Sequence, residues 1–478
     1  MKHDNRHRFR ADAARLAAAC FAVMLAAFGV SGARAHGAAP CRIELVEKGS
    51  GWPVPLVELR TTHGVRLVSD NAGVIAFDLP ELMGQPVWFS VFGHGYSVPA
   101  DGFGQRGVRL TPRPGATLRV ELTRSIVARR LGRLTGAGLL AESQKLGEFP
   151  DQRESGVVGR DSVQVAPHGG KLFWLWGDTT LARYPLGIFH TTAATTAAAP
   201  LSSFKPPLHF TFEHFSDDES RPVAIAKLPG DGPTWLTGLA SVRDDDGAEH
   251  LVATYCKVTP PLAANHWGLC AWNNERRQFE SVRVLWDKQS GGPTPPPLPK
   301  GHAVSWRDEQ GEAWLLFGDP LPTLRMPATW AAWNDPARWE ILKPQATLRA
   351  AADGAAVEPH SGSIAWNAYR KRWVTVFMQR FGKPSAFGEL WYAEAASPAG
   401  PWGAAAKVLS HDNYTFYNPR LHPELVAAPD SPVLLFEGTY TQQFADRPVA
   451  TPRYDYNQIL YRLDLDDPAL RPAQAAEQ

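Results

Sequence analysis

The sequence lacks an excess of charge of either sign. It has 49 lysine and arginine residues against 48 aspartate and glutamate residues, a net charge of +1, and no long basic run follows the N-terminal segment. Nucleic acids and acidic membrane surfaces usually bind basic patches, so we expect neither as a partner. Cysteine is scarce as well. Besides Cys20, only Cys41, Cys256 and Cys270 occur, and their spacing does not suit a zinc site.

Long apolar runs are absent after the N-terminus. Residues 1–35 combine a basic start, an apolar stretch from Leu16 to Val30 and a small-x-small sequence at Ala33–Ala35, which is the pattern of a cleaved export signal. A membrane anchor and a lipid attached to Cys20 are the alternatives, but the apolar stretch is short for a membrane span. We therefore expect a periplasmic or secreted protein with no membrane attachment after the signal is removed.

Turn-forming and aromatic residues are abundant. The 478 residues include 41 glycines, 41 prolines and 17 tryptophans, a composition typical of a turn-rich β protein. The length predicts more than one domain. We predict an all-β fold in which a five-bladed β-propeller at 155–466 follows an N-terminal β-sandwich at 41–124. Residues 125–154 are predicted to be a linker with a short helix around 126–134, and residues 467–478 a disordered tail.

The N-terminal region alternates apolar and polar residues in short segments, including 54–60, 74–77 and 87–92, as strands do. Its Asp-x-x-Gly turn at Asp70–Gly73, followed by the strand Val74–Phe77, resembles the carboxypeptidase-regulatory, transthyretin-like β-sandwich. The resemblance implies an accessory role, structural or in interactions, and the region groups no carboxylates or histidines.

A hairpin recurs along the rest of the chain. Residues 238–255 align without a gap on residues 302–319 after a shift of 64, and Asp161 to Asp178 has the same spacing as His302 to Asp319. Further copies are predicted at 362–378 and 418–438. Five such units of about four strands each favour a β-propeller; a twisted sandwich of hairpins is the alternative. Cys256 and Cys270 lie in consecutive predicted strands, where a disulfide and two separate thiols are both consistent with the sequence.

In a propeller, the first strands of the blades line one central channel, so distant residues converge there. The first strands and the ends of the second strands gather acidic, imidazole, guanidinium and phenol groups. This mixture suits glycoside cleavage, which needs one carboxylic acid and one carboxylate. The predicted catalytic residues are Asp161, Asp178 and Glu437. The predicted substrate-binding residues are His302, Asp319, His360, Arg380, His422 and Tyr440.

Two of the catalytic candidates have separate grounds. Asp161 precedes a buried strand and serves no turn, and Glu437 lies inside the apolar sequence Leu-Leu-Phe-Glu-Gly, where an unpaired charge would be costly. Asp178 ends an apolar strand, where a turn-capping role is the alternative. A carbohydrate is the expected partner. The sequence indicates no particular cofactor, although a structural Ca or Na ion in the channel, bound with Asp161, is compatible with these residues.

The elements Arg160–Asp161 and Gly177–Thr179 are similar to those of the bacterial endo-D-arabinanase family. The predicted propeller, with an aspartate on its first innermost strand, also resembles the arabinanases and furanosidases of glycoside hydrolase family 43. The resemblance implies a general base at Asp161 and a role for Asp178, but it does not locate the general acid. A non-catalytic glycan- or protein-binding propeller and a polysaccharide lyase are the alternative functions.

Overall fold

The computed structural model describes residues 39–152, 156–184, 186–208, 210–382, 385–411, 414–442, 445, 453 and 455–474. The predicted export signal lies outside these ranges. The predicted all-β class is confirmed, since almost all regular structure is strand and the α-helices of the described ranges are α1 (Ala141–Lys145) and α2 (Trp330–Trp333). Short 3-10 helices occur at Pro80–Leu82, Pro336–Arg338, Pro423–Leu425 and Pro468–Ala473.

The N-terminal part forms two four-stranded sheets, with strand orders β4-β1-β8-β6 and β3-β2-β5-β7. The strands are β1 (Cys41–Glu47), β2 (Glu58–Thr61), β3 (Arg66–Val68), β4 (Val74–Phe77), β5 (Val87–Phe92), β6 (Tyr96–Ser97), β7 (Gly107–Leu110) and β8 (Thr117–Arg124). Alternate residues of both sheets, such as Ile43, Leu59, Phe77 and Phe89, enclose one buried apolar core, which is the burial expected of period-2 strands.

The rest of the chain forms five four-stranded antiparallel sheets, which we call sheets I to V. Their strands, together with those of two small sheets, are β9 (Arg129–Arg133), β10 (Val157–Arg160), β11 (Gln164–His168), β12 (Lys171–Trp176), β13 (Thr179–Leu181), β14 (Gly187–Ile188), β15 (Thr192–Ala197), β16 (Glu213–His214), β17 (Thr234–Arg243), β18 (Glu249–Thr259), β19 (Ala263–Asn273), β20 (Gln278–Asp287), β21 (His302–Arg307), β22 (Ala313–Gly318), β23 (Pro322–Pro327), β24 (Glu340–Ile341), β25 (Leu348–Arg349), β26 (Ala356–Val357), β27 (Pro359–Asn367), β28 (Arg372–Gln379), β29 (Glu389–Ala395), β30 (Ala406–Ser410), β31 (Thr415–Leu421), β32 (Val433–Thr441) and β33 (Asn457–Asp464).

The five sheets follow one another in chain order around a ring. Sheets I to IV have the orders β11-β12-β15-β16, β17-β18-β19-β20, β21-β22-β23-β24 and β27-β28-β29-β30, and sheet V is β31-β32-β33-β9. The first strand of each of sheets I to IV contacts the first strand of the next sheet. Asn418 of β31 donates a 2.7 Å hydrogen bond to Ser162, beside β11, which joins sheet V back to sheet I. This is the radial arrangement of a β-propeller.

The strand register agrees with the repeat found in the sequence. Ala240 pairs with Val252 in sheet II and Val304 pairs with Leu316 in sheet III, so the two pairs are related by the predicted shift of 64. The alignment of Gly238 on His302 is less regular, because the β17–β18 register shifts between Thr237 and Ala240. The repeat therefore describes the middle of these two hairpins, whereas the register differs near the start of the first strand.

Sheet V closes in a way that the sequence analysis did not predict. Its outer strand is β9, from the segment expected to be a linker, and β9 pairs antiparallel with β33. The short helix predicted around 126–134 is therefore wrong, since residues 129–133 are a strand and the helix lies at Ala141–Lys145. Hydrogen bonds to β33 satisfy the backbone of β9, and a local pattern cannot show such a distant partner.

The apolar segments 187–190 and 328–333 each follow a repeated hairpin, and the sequence pattern predicts them as the third strands of their units; both predictions are wrong. The third strand of sheet I is β15, not Gly187–His190, and Trp330–Trp333 is a helix that follows the third strand of sheet III. The predicted disordered tail differs too, because Pro468–Ala473 forms a 3-10 helix that buries Leu470.

The cysteines of the described ranges are free and buried. In the β18–β19 register Cys270 lies opposite Ala253, while Cys256 lies opposite Trp267. Of the two alternatives for Cys256 and Cys270, the structure has the separate thiols. In the described part of the chain, no helix has both the length and the apolar character needed to cross a membrane.

Arg129 and Arg130 of β9 attach the N-terminal sheets to sheet V. Arg129 forms a 2.9 Å ion pair with Glu47 of β1. The buried Arg130 guanidinium donates to the backbone oxygens of Pro55 at 3.0 Å and His94 at 2.7 Å. The strand that completes sheet V thus also holds the N-terminal part in place.

Candidate active site

A cavity of about 300 Å³ lies at one end of the ring. Its wall includes residues at or beside the first strand of every sheet: Asp161, Thr237, His302, Ser361 and Asn418. The ends of second strands add Asp178 and Asp319. The cavity therefore exists because five sheets bring the same ends of their first two strands together, as the propeller prediction required.

Each first strand has one residue with a positive φ angle where it reaches the cavity. The angles are 53° at Ser162, 64° at Gly238, 84° at Gly301, 155° at Gly362 and 52° at Asn418. Glycine adopts such angles at little cost, whereas serine and asparagine pay for a left-handed backbone. Ser162 and Asn418 are hydrogen-bonded to each other, and they directly follow Asp161 and Tyr417. The two residues with an unfavourable left-handed backbone thus lie directly beside the acidic group of Asp161 and the phenol of Tyr417.

Asp161 has one paired and one unpaired oxygen. Its Oδ2 accepts hydrogen bonds from the hydroxyls of Tyr417 and Tyr456, both at 2.8 Å, and its Oδ1 is buried without a hydrogen-bond partner among the described residues. Burial raises the pKa of Asp161, and the tyrosine hydroxyls oppose this rise because they stabilise the charged form. The two tyrosines thus hold the Asp161 carboxyl group in one orientation through its Oδ2.

Asp178 is the second carboxyl group of this site. Burial, followed by repulsion from Asp161, raises the pKa of Asp178 to about 6. Its Oδ1 is buried and has no hydrogen-bond partner in the described ranges. Between the two acids, Gly177 allows the close approach, since a Cβ at position 177 would overlap Oδ1 of Asp161.

Asp319 is the third carboxyl group on the cavity wall. Its Oδ1 accepts from the Ser361 hydroxyl at 2.7 Å and from the Gly362 backbone N–H at 2.9 Å. Its side chain is open to the cavity, but protein surrounds the cavity on most sides, and this burial raises the pKa of Asp319 to about 6. One of its oxygens is therefore fixed while the cavity remains accessible to the side chain.

The structure thus brings four predicted site residues to one cavity: Asp161, Asp178, His302 and Asp319. His302 is buried, and burial together with the nearby Arg420 charge lowers its pKa to about 3. A neutral imidazole therefore faces the cavity at neutral pH. Trp235, Trp267 and Lys300 complete the polar and aromatic part of the wall.

Glu437 does not line this cavity. It is fully buried in β32, opposite Arg420 in the sheet register, and its Oε1 lies 3.3 Å from Nε2 of His422. His422 also contacts Glu424, at 2.9 Å, and Arg420 forms a 2.6 Å ion pair with Glu424. Burial opposes the charge on Glu424, but Arg420 and His422 outweigh it and lower its pKa to about 2. Glu437 and His422 therefore belong to a buried ionic network inside sheet V, as charges in a protein interior commonly do.

The other three predicted substrate-binding residues are also outside the cavity lining. Arg380 Nη2 lies 3.4 Å from Nδ1 of His360, whose ring stacks on Phe387 at the same end of sheet IV as Ser361. Tyr440 is buried, and its hydroxyl hydrogen-bonds that of Tyr461 at 2.6 Å and lies 3.3 Å from His94 Nδ1. Tyr440 therefore belongs to the contact between the N-terminal part and sheet V.

Sequence reasoning missed the groups that hold the acids: Tyr417, Tyr456 and Ser361. Tyr417 lies next to Asn418, which was predicted to start the channel segment of the fifth repeat. Tyr456 lies outside every strand and had no repeat position to mark it. In the described ranges, no three His, Cys, Asp or Glu side chains lie together as ligands of one metal ion would.

Comparison with known proteins gives little guidance. No family model matches the chain, and no curated protein matches it. Among solved structures, a putative exo-β-1,3-galactanase from Bifidobacterium bifidum s17 is 13% identical, with 64% of this chain and 87% of that chain covered and a TM-score of 0.38.

Two further structures are at the same level. A mutant α-L-arabinanase of Cellvibrio cellulosa is 11% identical, with 64% and 92% covered and a TM-score of 0.38. An exo-1,5-α-L-arabinanase from a bovine ruminal metagenomic library is 14% identical, with 65% and 94% covered and a TM-score of 0.35. We draw no conclusion about activity from values this low. What the chain does has to be inferred from the cavity itself.

Proposed function

We propose that the protein is an exported glycoside hydrolase that cleaves a polysaccharide or an oligosaccharide at the ring cavity. The observation that supports this most directly is the pair Asp161 and Asp178: two carboxyl groups share one cavity, and repulsion from Asp161 helps to raise the pKa of Asp178. Two such groups disfavour double ionisation, so one proton stays on the pair over a range of pH. One acid and one base are what glycoside cleavage requires.

The surroundings of the two groups support different roles for them. Tyr417 and Tyr456 donate to Asp161 and so favour its charged form, whereas burial and repulsion from Asp161 disfavour the charged form of Asp178. The shared proton therefore resides on Asp178. In this assignment, Asp178 protonates the leaving oxygen as general acid, and the Asp161 carboxylate acts as the base or nucleophile.

The remaining wall suits a sugar. Asp319, with one oxygen fixed by Ser361, can accept hydrogen bonds from hydroxyl groups, while Lys300 and the neutral His302 supply further polar contacts. Trp235 and Trp267 offer aromatic surface on the same wall, and such surface packs well against the apolar face of a sugar ring. Glu437, inside its buried network, has no part in this proposal.

The test is a screen of the protein without residues 1–35 against plant, algal and bacterial polysaccharides, with released oligosaccharides as the readout. Asp161→Asn and Asp178→Asn should each lower the rate on the responsive glycan by about 10²-fold or more. Asp246→Asn, in an exposed loop, is the matched control and should retain full activity. Thermal unfolding checks that every variant is folded.

Three results would contradict the proposal. Full activity of the Asp161 or Asp178 variant would remove the catalytic assignment. Unsaturated products absorbing in the ultraviolet would indicate a lyase, and saturable glycan binding without product would indicate a non-catalytic propeller.

A further inference from the structure

A second, larger depression lies between sheets III and IV, at the opposite end of the ring from the cavity. It is an open groove of about 900 Å³. The cavity lies where the first strands begin. The groove lies where a first strand ends, because it includes Arg307 to Gln310 at the turn between β21 and β22. We call it the tryptophan groove, because its wall includes Trp306, Trp314, Trp366 and Trp373.

The four tryptophans form two cross-strand pairs. Trp306 lies opposite Trp314 in sheet III, and Trp366 lies opposite Trp373 in sheet IV. Trp373 is buried in the core between the two sheets, whereas 49% of the Trp366 surface is exposed. A single exposed apolar side chain is ordinary, but contiguous apolar surface rimmed by polar residues marks ligand-binding grooves. The pairs give the groove two neighbouring aromatic walls, with the open indole at Trp366.

The basic and acidic side chains on the wall of the groove are equal in number: Arg307 and Arg325 against Asp308 and Glu309. Arg325 forms a 2.6 Å ion pair with Glu340 and lies 4.4 Å from the centre of the Trp314 ring. Asp308 accepts a 2.9 Å hydrogen bond from Trp314 Nε1, and Arg307 donates to the backbone oxygen of Gly311 at 2.9 Å. The groove therefore has no net charge to match to a strongly ionic ligand, but many polar atoms beside its indoles.

The combination of indoles with equal numbers of basic and acidic groups favours one class of ligand over the others. A single-stranded nucleic acid stacks on aromatic rings but needs a basic groove for its phosphates, and here acidic and basic groups alternate. A neutral sugar chain, with apolar ring faces and hydroxyl edges, matches indoles that alternate with polar groups.

We propose that the tryptophan groove is a second glycan-binding site, which holds a neutral polysaccharide chain away from the cavity where cleavage occurs. The choice of ligand rests on the proposed glycoside hydrolase function, but binding in the groove does not require catalysis. The groove should raise affinity for long chains and leave the cleavage of short oligosaccharides unchanged, because a short chain cannot reach both ends of the ring.

The experiment measures retardation of the folded protein in native gels that contain each polysaccharide of the screen. Asp161→Asn serves as the background, so that the polymer is not consumed. In this background, Trp366→Ala and Trp306→Ala should weaken binding about tenfold, as truncation of a central interface tryptophan commonly does, and Trp366→Phe should retain most of it. Phe103→Ala removes another exposed aromatic side chain, 93% exposed, and is the matched control that should change nothing.

The outcomes separate this proposal from the hydrolase assignment. Product release with unchanged retardation of the Trp366 and Trp306 variants would overturn the groove alone. Tryptophan-dependent retardation without product release would support the groove and contradict the hydrolase. Absence of both retardation and cleavage for every polysaccharide would overturn both. A Trp366→Ala variant that dissociates from dimer to monomer in sedimentation would show that a second copy occupies the groove instead.

Discussion

The hydroxyl of Tyr417 lies 2.8 Å from Oδ2 of Asp161, although 256 residues separate them in the chain. The contact joins the first strand of sheet V to the start of sheet I. The geometry of the proposed base thus depends on closure of the ring, and the catalytic pair cannot be assembled within one sheet.

Removal of the tyrosine hydroxyls should change the pH dependence of activity. Tyr417→Phe and Tyr456→Phe each take away a donor that stabilises the Asp161 carboxylate, so the pKa of Asp161 should rise further. The acidic limb of the kcat/KM profile should therefore move to higher pH, with activity at low pH falling about tenfold. Tyr440→Phe, which removes a buried hydroxyl far from the cavity, is the control. An unmoved acidic limb in both variants would remove the proposed role of the hydroxyls.

The titration of Asp178 should be visible in stability as well. Its pKa rises from an ordinary value of 3.8 to about 6 in the folded protein, so a proton on Asp178 favours the folded state. This contribution to stability is complete below pH 3.8 and is lost as pH rises through 6. Asp178→Asn cannot ionise and should be more stable than the wild type at pH 8, by about 1 kcal/mol after allowance for the partly open side chain. Chemical denaturation at pH 4 and pH 8 measures the difference. Asp246→Asn should show none, and equal shifts in both variants would contradict the idea.

The same pKa limits activity at high pH. If Asp178 is the general acid, kcat/KM on the responsive glycan should fall about tenfold for each pH unit above about 6. A rate profile between pH 4 and pH 9 checks this. Activity that keeps rising to pH 8 would exclude Asp178 as the acid.

The small size of residue 177 should be essential for activity. Gly177→Ala places a Cβ against Oδ1 of Asp161, which forces the carboxylate away from Tyr417 and Tyr456. We expect kcat to fall about 10²-fold with the fold retained, because displacement of a catalytic group by about 1 Å has this effect. Gly187→Ala, whose new Cβ in β14 would make only ordinary contacts, should behave as the wild type. Circular dichroism confirms folding, and an active Gly177→Ala enzyme would place the chemistry elsewhere.

Arg130 should contribute strongly to stability. Arg130→Met leaves the backbone oxygens of Pro55 and His94 without this donor, and each buried oxygen without a partner costs about 1–3 kcal/mol. The free energy of unfolding should therefore drop by several kcal/mol. Arg119→Met, at an exposed position of β8, is the control and should change it little. A comparable loss in both variants would mean that the effect is not specific to the contact between β9 and the N-terminal sheets.

The sequence predicted the parts of the fold that repeat locally. The shift of 64 predicted the register of two hairpins because each hairpin contains its own alternation and turn. That repeat placed Asp161, Asp178, His302 and Asp319 at matching ends of strands, and these four reach the same cavity.

The parts that were missed depend on distant partners. The five residues of β9 have no alternating pattern, and their strand partner comes more than three hundred residues later. Burial of Glu437 was anticipated, but its neighbours His422, Glu424 and Arg420 show that an acid inside an apolar strand can be buried for structural reasons. Tyr440 is likewise buried for a structural reason, because its hydroxyl lies in the contact between the N-terminal part and sheet V.

The origin of β9 has a consequence for the order in which the molecule folds. Its partner β33 comes more than three hundred residues later, so sheet V cannot be completed until all of that chain has left the ribosome. Pairing over such a distance is slow, since a long loop must close before any contact repays its entropy. Sheets II to IV are each built from one continuous stretch and can form earlier. The ring should therefore close last, and Asp161 should gain its tyrosine partners only at that final step.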